Sequence, residues 1–203
     1  LAVLDIGPDQ LVELKESGEP IGTIRPAVAS ELGLSSGTIV ATGAYDHAAG
    51  AIGSGNIRPG IVTETTGSAL VVNTTVPKAT FDPAMRVPRQ YHAMKDEYFL
   101  SSFSETGGMA FKWYRNNFYL SGTESEQVIE QAYTAMDNLA DDIAPGSDGL
   151  IMLPHLAGAF CPESNPNARG VLFGLALKHG KAHVARAILE AVAFMLKRHI
   201  QVV

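Results

Sequence analysis

Cysteine, long apolar runs and concentrated positive charge are all scarce in this sequence, and each shortage excludes a class of protein. Cys161 is the only cysteine among the 203 residues, so no disulfide forms within the chain, and we expect a cytoplasmic protein. No apolar run reaches the roughly 20 residues of a membrane span, and Arg186, Glu190 and Lys197 interrupt the most apolar late stretch. With a net charge of −6 and no Lys/Arg run, neither nucleic acid nor a membrane is an expected partner.

The two ends of the sequence lack the signals that usually mark a domain boundary. Residue 1 is Leu rather than Met, and the final AVAFMLKRHIQVV continues a helical pattern without Gly, Asn or Pro to stop it. We therefore expect an internal piece of a longer protein. A small engineered domain with trimmed ends is the alternative.

Strand-like and helix-like segments alternate along the chain. Pro26 and Gly33 suit the first turn and the C-terminal end of a helix over 26–34. The other expected segments are a loop over 1–20, a buried strand at 39–42, a helix at 46–54, a hairpin of 61–65 and 69–74, a β-rich region at 75–100 with a strand at 97–102, helices at 108–118, 125–139 and 181–200, a buried strand at 149–154, a loop at 155–170 and a strand-like piece at 171–175. This alternation predicts a layered α/β architecture.

A single acid follows the apolar run at 39–41. Asp46 stands where the expected strand gives way to a helix, and a carboxylate in that position can act as a general base. An Asp at a strand-to-helix junction can equally cap the helix by accepting hydrogen bonds from backbone N–H groups. The local sequence leaves both interpretations open.

The expected hairpin turns through Thr66, Gly67 and Ser68. Hydroxyls and backbone N–H groups at such a tip suit a phosphate, although the same three residues also make an ordinary β-turn. Together with Asp46, the phosphate interpretation suggests phosphoryl transfer to a hydroxyl.

Two further patterns imitate known sites but have simpler explanations. Gly50, Gly53 and Gly55 occur in the order GxxGxG rather than GxGxxG, so we expect close packing of a small-residue helix on a sheet. His179 and His183 have the i, i+4 spacing of a zinc pair, but the intervening Gly180 and the lack of a nearby carboxylate or cysteine argue against a metal site.

Three other residue groups are expected to be structural. Trp113 is assigned to core packing, and Arg186 and Glu190, one helical turn apart, to a pair on a helix surface. Cys161 has no activating His or Lys beside it in sequence, so we do not expect it to act as a nucleophile.

Several segments together resemble the FGGY family of carbohydrate kinases, which phosphorylate pentuloses, glycerol and related polyols with ATP. The segments, in the family's order and spacing, are PIGTIRPAVASELGLSSGTIVATGAYDHAAGAIGSG, TETTGSAL, SETGGMAFKWYRNNF and DGLIMLPHLAGAFCPESNPNARGVLFGLALKHGKAHVARAILEAVAFML. The resemblance implies an α/β, actin-like ATPase (ribonuclease H-like) fold with a mixed sheet flanked by helices, present here as an incomplete fragment. Residues 1–58 would be the end of the first, sugar-binding lobe, and residues 59–203 the start of the second, nucleotide-binding lobe.

The resemblance also implies roles for individual residues. Asp46 occupies the position of the catalytic base. His47 follows where glycerol kinases commonly have Gln and xylulokinases Asn, so it either contacts substrate or packs against the helix start. Thr66, Gly67 and Ser68 match the second phosphate-binding hairpin, and Gly108 and Lys112 belong to a segment that approaches the nucleotide.

From this resemblance we expect a xylulokinase-like enzyme that transfers the γ-phosphoryl of ATP to a pentulose or polyol, using Mg²⁺ but no metal ligand from this chain. A glycerol- or erythritol-type polyol kinase, a non-catalytic actin-like nucleotide- or sugar-binding protein and an orphan structural domain are the alternatives. The family's other phosphate hairpin and most sugar contacts would precede Leu1, and its Gly-rich adenine segment would follow Val203. We therefore expect the 203-residue piece alone to be inactive. The sequence leaves the oligomeric state open, with a homodimer of the full-length protein as the candidate.

Overall fold

The structure is a computed structural model that describes Val3, residues 7–77 and residues 80–203. The expected loop over 1–20 and the expected β-rich region at 75–100 each fall in part on residues 1, 2, 4–6, 78 and 79. Those parts lie outside the described residues.

The first elements form a small two-stranded unit. After a 3₁₀ turn at Pro8–Gln10 come β1 (Pro20–Thr23), α1 (Pro26–Leu32) and β2 (Ile39–Ala41), and β1 pairs antiparallel with β2. The expected helix is confirmed, with Pro26 in its first turn and Gly33 ending it at a φ of 67°. The expectation that β2 is buried is wrong: its three residues are exposed, because within the described chain it pairs with β1 alone.

A four-stranded antiparallel sheet forms the middle of the molecule. It is preceded by α2 (Asp46–Gly53) and contains β3 (Val62–Thr66), β4 (Leu70–Pro77), β5 (Arg89–Tyr91) and β6 (Glu97–Ser104) in the order β3-β4-β6-β5. The hairpin and the strand from residue 97 are therefore confirmed. Nearly all of β4 is buried, because it is an inner strand whose two faces are both covered.

Different helices cover the two faces of this sheet. Residues paired directly across the strands share a face, and Thr75, Phe99 and Gln90 form one such row. Ala48 and Ala51 of α2 pack against Phe99 on that face.

The opposite face receives the last helix. There, Ser102 Oγ lies 2.6 Å from Nδ1 of His199, and Ser104 Oγ donates to Sδ of Met195 at 3.6 Å. The sheet is thus a layer between α2 and that helix.

The largest apolar core lies in the second half of the chain. Its elements are α3 (Gly108–Tyr114), a π-helical turn (Arg115–Tyr119), α4 (Glu126–Asp141), β7 (Ile151–Leu153), β8 (Val171–Phe173) and α5 (Lys181–Ile200). Buried residues of the cluster are Ala110, Phe111, Tyr114, Met136, Ala140, Leu150, Met152, Ala185, Ala187, Ile188 and Ala191. Trp113 packs against this cluster as expected. The helix expected over 108–118 is shorter than predicted, since it changes to π geometry after Tyr114.

The strand expected to be buried at 149–154 is only partly so. Met152 is buried, but Ile151 is 54% and Leu153 47% exposed. Alternate residues of a strand point to opposite faces, and in the described part of the chain β7 pairs only with β8.

Two side-chain contacts in this region differ from the sequence expectations. Glu190 does pair with Arg186 at 2.9 Å, but it also accepts hydrogen bonds from Gly146 N and Ser147 Oγ, so it fastens a turn to α5. Asp148 Oδ2 lies 3.5 Å from Nε2 of His183. The premise that no carboxylate lies near the histidine pair is therefore wrong, because a residue distant in sequence reaches it.

The described residues thus form a mixed α/β structure, as expected. None of its helices has the length and apolar character needed to cross a membrane.

Candidate active site

Asp46 is the first residue of α2 and follows β2 after a four-residue connection. The helix cap is Tyr45, so Asp46 does not occupy the N-cap position considered from the sequence. Its carboxylate is exposed, and its Oδ1 accepts a hydrogen bond from the N–H of His47 at 2.8 Å. An exposed carboxylate held at a helix start can accept a proton from a hydroxyl that approaches it.

Tyr45, the residue before Asp46, anchors the start of α2 to the sheet. Burial, and next the negative charge of Asp46, raise the pKa of Tyr45 to about 12. The Tyr45 hydroxyl therefore stays protonated, and it donates to Oε1 of Gln90 in β5 at 3.0 Å. The half-buried ring of His47 lies edge-on to Tyr45 at 6.4 Å between centroids. Both interpretations of His47, substrate contact and packing, remain compatible with this position.

The expected phosphate turn is the exposed connection between β3 and β4. Thr66 pairs with Leu70, which leaves Gly67, Ser68 and Ala69 as the turn, and the Gly67 N–H donates to the Ala69 carbonyl at 2.9 Å. Thr66, Gly67 and Ser68 are all exposed. The turn is therefore accessible to a ligand, although the N–H of Gly67 is already used within it.

Glu64 lies beside this turn and was not predicted from the sequence as a site residue. Its carboxylate accepts a hydrogen bond from the Thr66 hydroxyl, because residues two apart on a strand share a face. The spacing of two residues along the expected strand was the sequence signal that could have placed Glu64 beside Thr66. A carboxylate next to a phosphate is repelled unless a cation lies between them.

Two glycines let α3 begin directly against the turn. The N–H of Gly108 donates to the Gly67 carbonyl at 2.8 Å, and that of Met109 to the Ser68 carbonyl at 3.1 Å. A Cβ on Gly108 would lie 2.6 Å from the Gly67 oxygen, and one on Gly107 would lie 2.8 Å from the Ala69 carbonyl carbon. The structure thus brings Gly108 and the turn together. At Gly107 and Gly108 any side chain would collide with the turn, which explains why both residues are glycine.

Lys112 lies one helical turn after Gly108 and is exposed. Residues four apart on a helix share a face, so Lys112 stands on the side of α3 that begins at the turn. A long cationic side chain there suits an anionic ligand held at the turn.

Among the described residues, no hydrogen bond or ion pair joins Asp46 to the turn. They are connected through the sheet, since α2 packs on Phe99 and the turn joins β3 to β4. Asn56, three residues after α2, is fully buried against both of these strands. Nothing in its sequence context separates it from a surface Asn, so its burial could not be predicted from the sequence.

The packing explanation for the glycines of α2 is wrong. A Cβ on Gly50 or Gly53 would meet no atom within 4 Å, and Gly55 has a φ of 86°. Ala48 and Ala51 are the small residues that contact the sheet. The left-handed backbone conformation at position 55 favours glycine and explains Gly55.

Comparison with known proteins gives one consistent result. The profile described as "FGGY family of carbohydrate kinases, C-terminal domain" matches residues 61–203. The chain is 31% identical over 198 residues to a gluconokinase of Bacillus subtilis, covering 97% of this chain and 38% of that protein. It is 30% identical over 203 residues to the xylulose kinase of Escherichia coli K12, covering 100% of this chain and 40% of that protein.

A solved structure extends the similarity to the fold. The crystal structure of xylulose kinase from Rhodospirillum rubrum superposes with a TM-score of 0.82 at 30% identity, over 99% of this chain and 39% of that one. The chain thus spans about two fifths of the length of the relatives that it matches.

Proposed function

The chain belongs to the FGGY family of carbohydrate kinases, and on that basis we propose that it works as part of an ATP-dependent kinase whose acceptor is a sugar hydroxyl. We call the complete kinase the protein that contains this chain and, in addition, the segments by which the relatives are longer than this chain. The observation that carries the proposal is the exposed carboxylate of Asp46 at the start of a helix packed on the sheet that bears the exposed turn Thr66–Ser68.

In the proposed reaction, Asp46 takes the proton of the acceptor hydroxyl as its oxygen attacks the γ-phosphorus of ATP. The bond between the γ-phosphorus and the bridging oxygen breaks in line, and ADP leaves. The Ser68 hydroxyl donates to the γ-phosphate, and the Thr66 hydroxyl does so by giving up the hydrogen bond that it donates to Glu64 in this structure. Lys112 offsets negative charge of the nucleotide. A carboxylate positioned in this way contributes about 10²- to 10⁴-fold to the rate.

The residues at the turn also fit a magnesium ion bound with ATP. Mg²⁺ prefers oxygen ligands, and the Glu64 carboxylate and Thr66 hydroxyl offer them side by side. When bound, the ion neutralises charge on the β- and γ-phosphates. Glu64 and Thr66 would hold it, whereas no metal ligand from this chain was expected from the sequence.

The acceptor is a pentulose in this proposal, as in a xylulose kinase. Gluconate is the second candidate, because a gluconokinase matches the chain at 31% identity and a xylulose kinase at 30%. ADP release by the complete kinase with xylulose, ribulose, gluconate, glycerol and erythritol separates these acceptors. The expected cytoplasmic location, homodimer, domain boundary near residue 58 and inactivity of the isolated chain remain predictions.

Asp46→Asn in the complete kinase tests the base, because the amide keeps the shape of the side chain but cannot take the proton. We expect kcat to fall about 10²- to 10⁴-fold while ATP binding, measured by calorimetry, is retained. Asp137→Asn, the same chemical change on the exposed surface of α4, is the matched control and should leave turnover unchanged. Near-normal turnover of Asp46→Asn would contradict the assignment. ATP binding without ADP release for any acceptor would favour a non-catalytic relative.

A further inference from the structure

Asn56 is held rigidly at the C-terminal end of α2. The N–H groups of Gly55 and Asn56 donate to the carbonyls of Ile52 at 2.9 Å and Ala51 at 2.8 Å. With Gly55 at a φ of 86°, this is the Schellman arrangement that ends many helices. The position of Asn56 is therefore fixed relative to the helix that begins with Asp46.

The side chain of Asn56 is fastened to both strands that form the phosphate turn. Its Nδ2 donates to Thr63 Oγ1 in β3 at 3.2 Å and to the Asn73 carbonyl in β4 at 3.4 Å. Its Oδ1 accepts a hydrogen bond from Thr75 Oγ1 in β4 at 2.5 Å. Asn56 and Thr75 are both 0% exposed, so water cannot replace these bonds if one partner is removed.

A histidine holds the backbone of the same residue. The Met94 N–H donates to Nδ1 of His92 at 2.8 Å, so the ring proton is on Nε2, which donates to the Asn56 carbonyl at 2.9 Å. His92 is itself buried and lies 4.3 Å from Phe99 between ring centroids. Phe99 is also the residue on which α2 packs.

We propose that Asn56 is a positioning residue of the kinase: it sets the helix that carries the base Asp46 at a fixed place relative to the turn Thr66–Ser68. This inference rests on the proposed function. The bonds of Asn56 join the end of α2 to β3 and β4, and the turn is the connection between those two strands. The bonds of Asn56 thus set the distance between the helix of the base and the two strands that carry the turn.

Thr75 offers a matched pair of variants, because valine removes its hydroxyl at nearly constant volume and serine keeps the hydroxyl while losing one methyl group. In the complete kinase, Thr75→Val leaves Oδ1 of Asn56 unpaired, whereas Thr75→Ser keeps the bond. A displacement of about 1 Å between reacting groups can cost about 10²-fold in rate. We expect kcat to fall at least about tenfold in Thr75→Val and to stay within about twofold in Thr75→Ser. KM for ATP and for the acceptor should change little, because Asn56 and Thr75 are fully buried and offer no surface to either substrate.

A double-mutant cycle separates positioning from general damage. In the Asp46→Asn background there is no base to misplace, so Thr75→Val should then lower the residual ADP release by less than about twofold. An equal loss in both backgrounds, or unchanged kcat in Thr75→Val, would overturn the positioning role. If the Asp46→Asn variant alone kept nearly normal turnover, Asp46 would not be the base, and the positioning role of Asn56 would be excluded as well.

A second pair keeps the inference testable if Thr75→Val does not fold, as judged by its melting temperature. Thr63→Val removes one acceptor of the Asn56 amide, and Thr63→Ser retains it. Since Nδ2 keeps its bond to the Asn73 carbonyl, we expect a smaller loss of kcat for Thr63→Val than for Thr75→Val and again none for the serine variant. An additive effect of Thr63→Val with Asp46→Asn would count against the inference.

Discussion

Alanine at position 108 would place one methyl group where α3 meets the proposed phosphate turn. The new Cβ would lie 2.6 Å from the carbonyl oxygen of Gly67, whereas ordinary contact begins at 3.4 Å, so about 0.8 Å of separation is missing. The obstructing atom belongs to the backbone, so no side-chain rotation can make room. Either α3 or the turn must move by most of that distance, which also strains the hydrogen bond from the Gly108 N–H to the same oxygen.

Two effects of Gly108→Ala follow, and they are measured separately. Overpacking of this kind typically costs about 1–3 kcal/mol of folding free energy, which denaturant unfolding reports. A displacement approaching 1 Å at a group that holds the γ-phosphate costs up to about 10²-fold. We therefore expect kcat/KM for ATP to fall about 10- to 100-fold in an ADP-release assay of the complete kinase.

Gly37→Ala is the matched control for this substitution. Gly37 is exposed outside the helices and strands, and its added Cβ would meet only Ser35 Oγ, at an ordinary 3.6 Å. It should leave kcat/KM unchanged. If Gly108→Ala lowered stability but the folded enzyme kept normal kcat/KM for ATP, the turn would not be the phosphate site. If neither quantity changed, the close contact itself would be wrong.

Two further predictions concern buried groups away from the proposed site. Burial, and next the charge of Arg198, lower the pKa of His199 to about 4, below its usual ~6.5. Above pH 6.5, His199 is neutral in both the folded and the unfolded protein. As the pH falls toward 4, the unfolded state takes up the proton first, so the free energy of unfolding decreases, by about 2 kcal/mol at pH 5. Urea unfolding followed by fluorescence of Trp113 should show a smaller loss between pH 7.5 and 5 in His199→Leu, and an equal loss would contradict this. Burial also raises the pKa of the half-buried Cys161 thiol. Iodoacetamide should therefore modify Cys161 more slowly at pH 7.5 than it modifies a free cysteine. Equal rates would refute the burial argument.

The sequence determined most of the local structure. Pro26 and Gly33 bracket α1, and the long apolar pattern over 181–200 coincides with α5. The turn after Thr66 and the helix that begins at Asp46 also stand where the residues predict them. These features depend on neighbours a few positions away, so turn chemistry and hydrophobic period are sufficient to predict them.

Exposure could not be predicted in the same way. The apolar residues of β2 and β7 indicate buried strands, yet Ile39 is 65% and Ile151 54% exposed. An apolar run measures only the tendency to be covered. Whether a strand is covered depends on which other elements pack against it, and that is a property of the whole arrangement.

The candidate site divides along the same line. Asp46 and the residues Thr66–Ser68 were singled out in the sequence by their residue types, but the local sequence left their alternative roles open, and the expected roles came from the family resemblance. The packing need for Gly108, the burial of Asn56 and the approach of Asp148 to His183 were decided only by the tertiary structure. Each depends on a contact between residues far apart in the chain, and the closed packing of the folded protein brings such residues together in a way that local preferences do not specify.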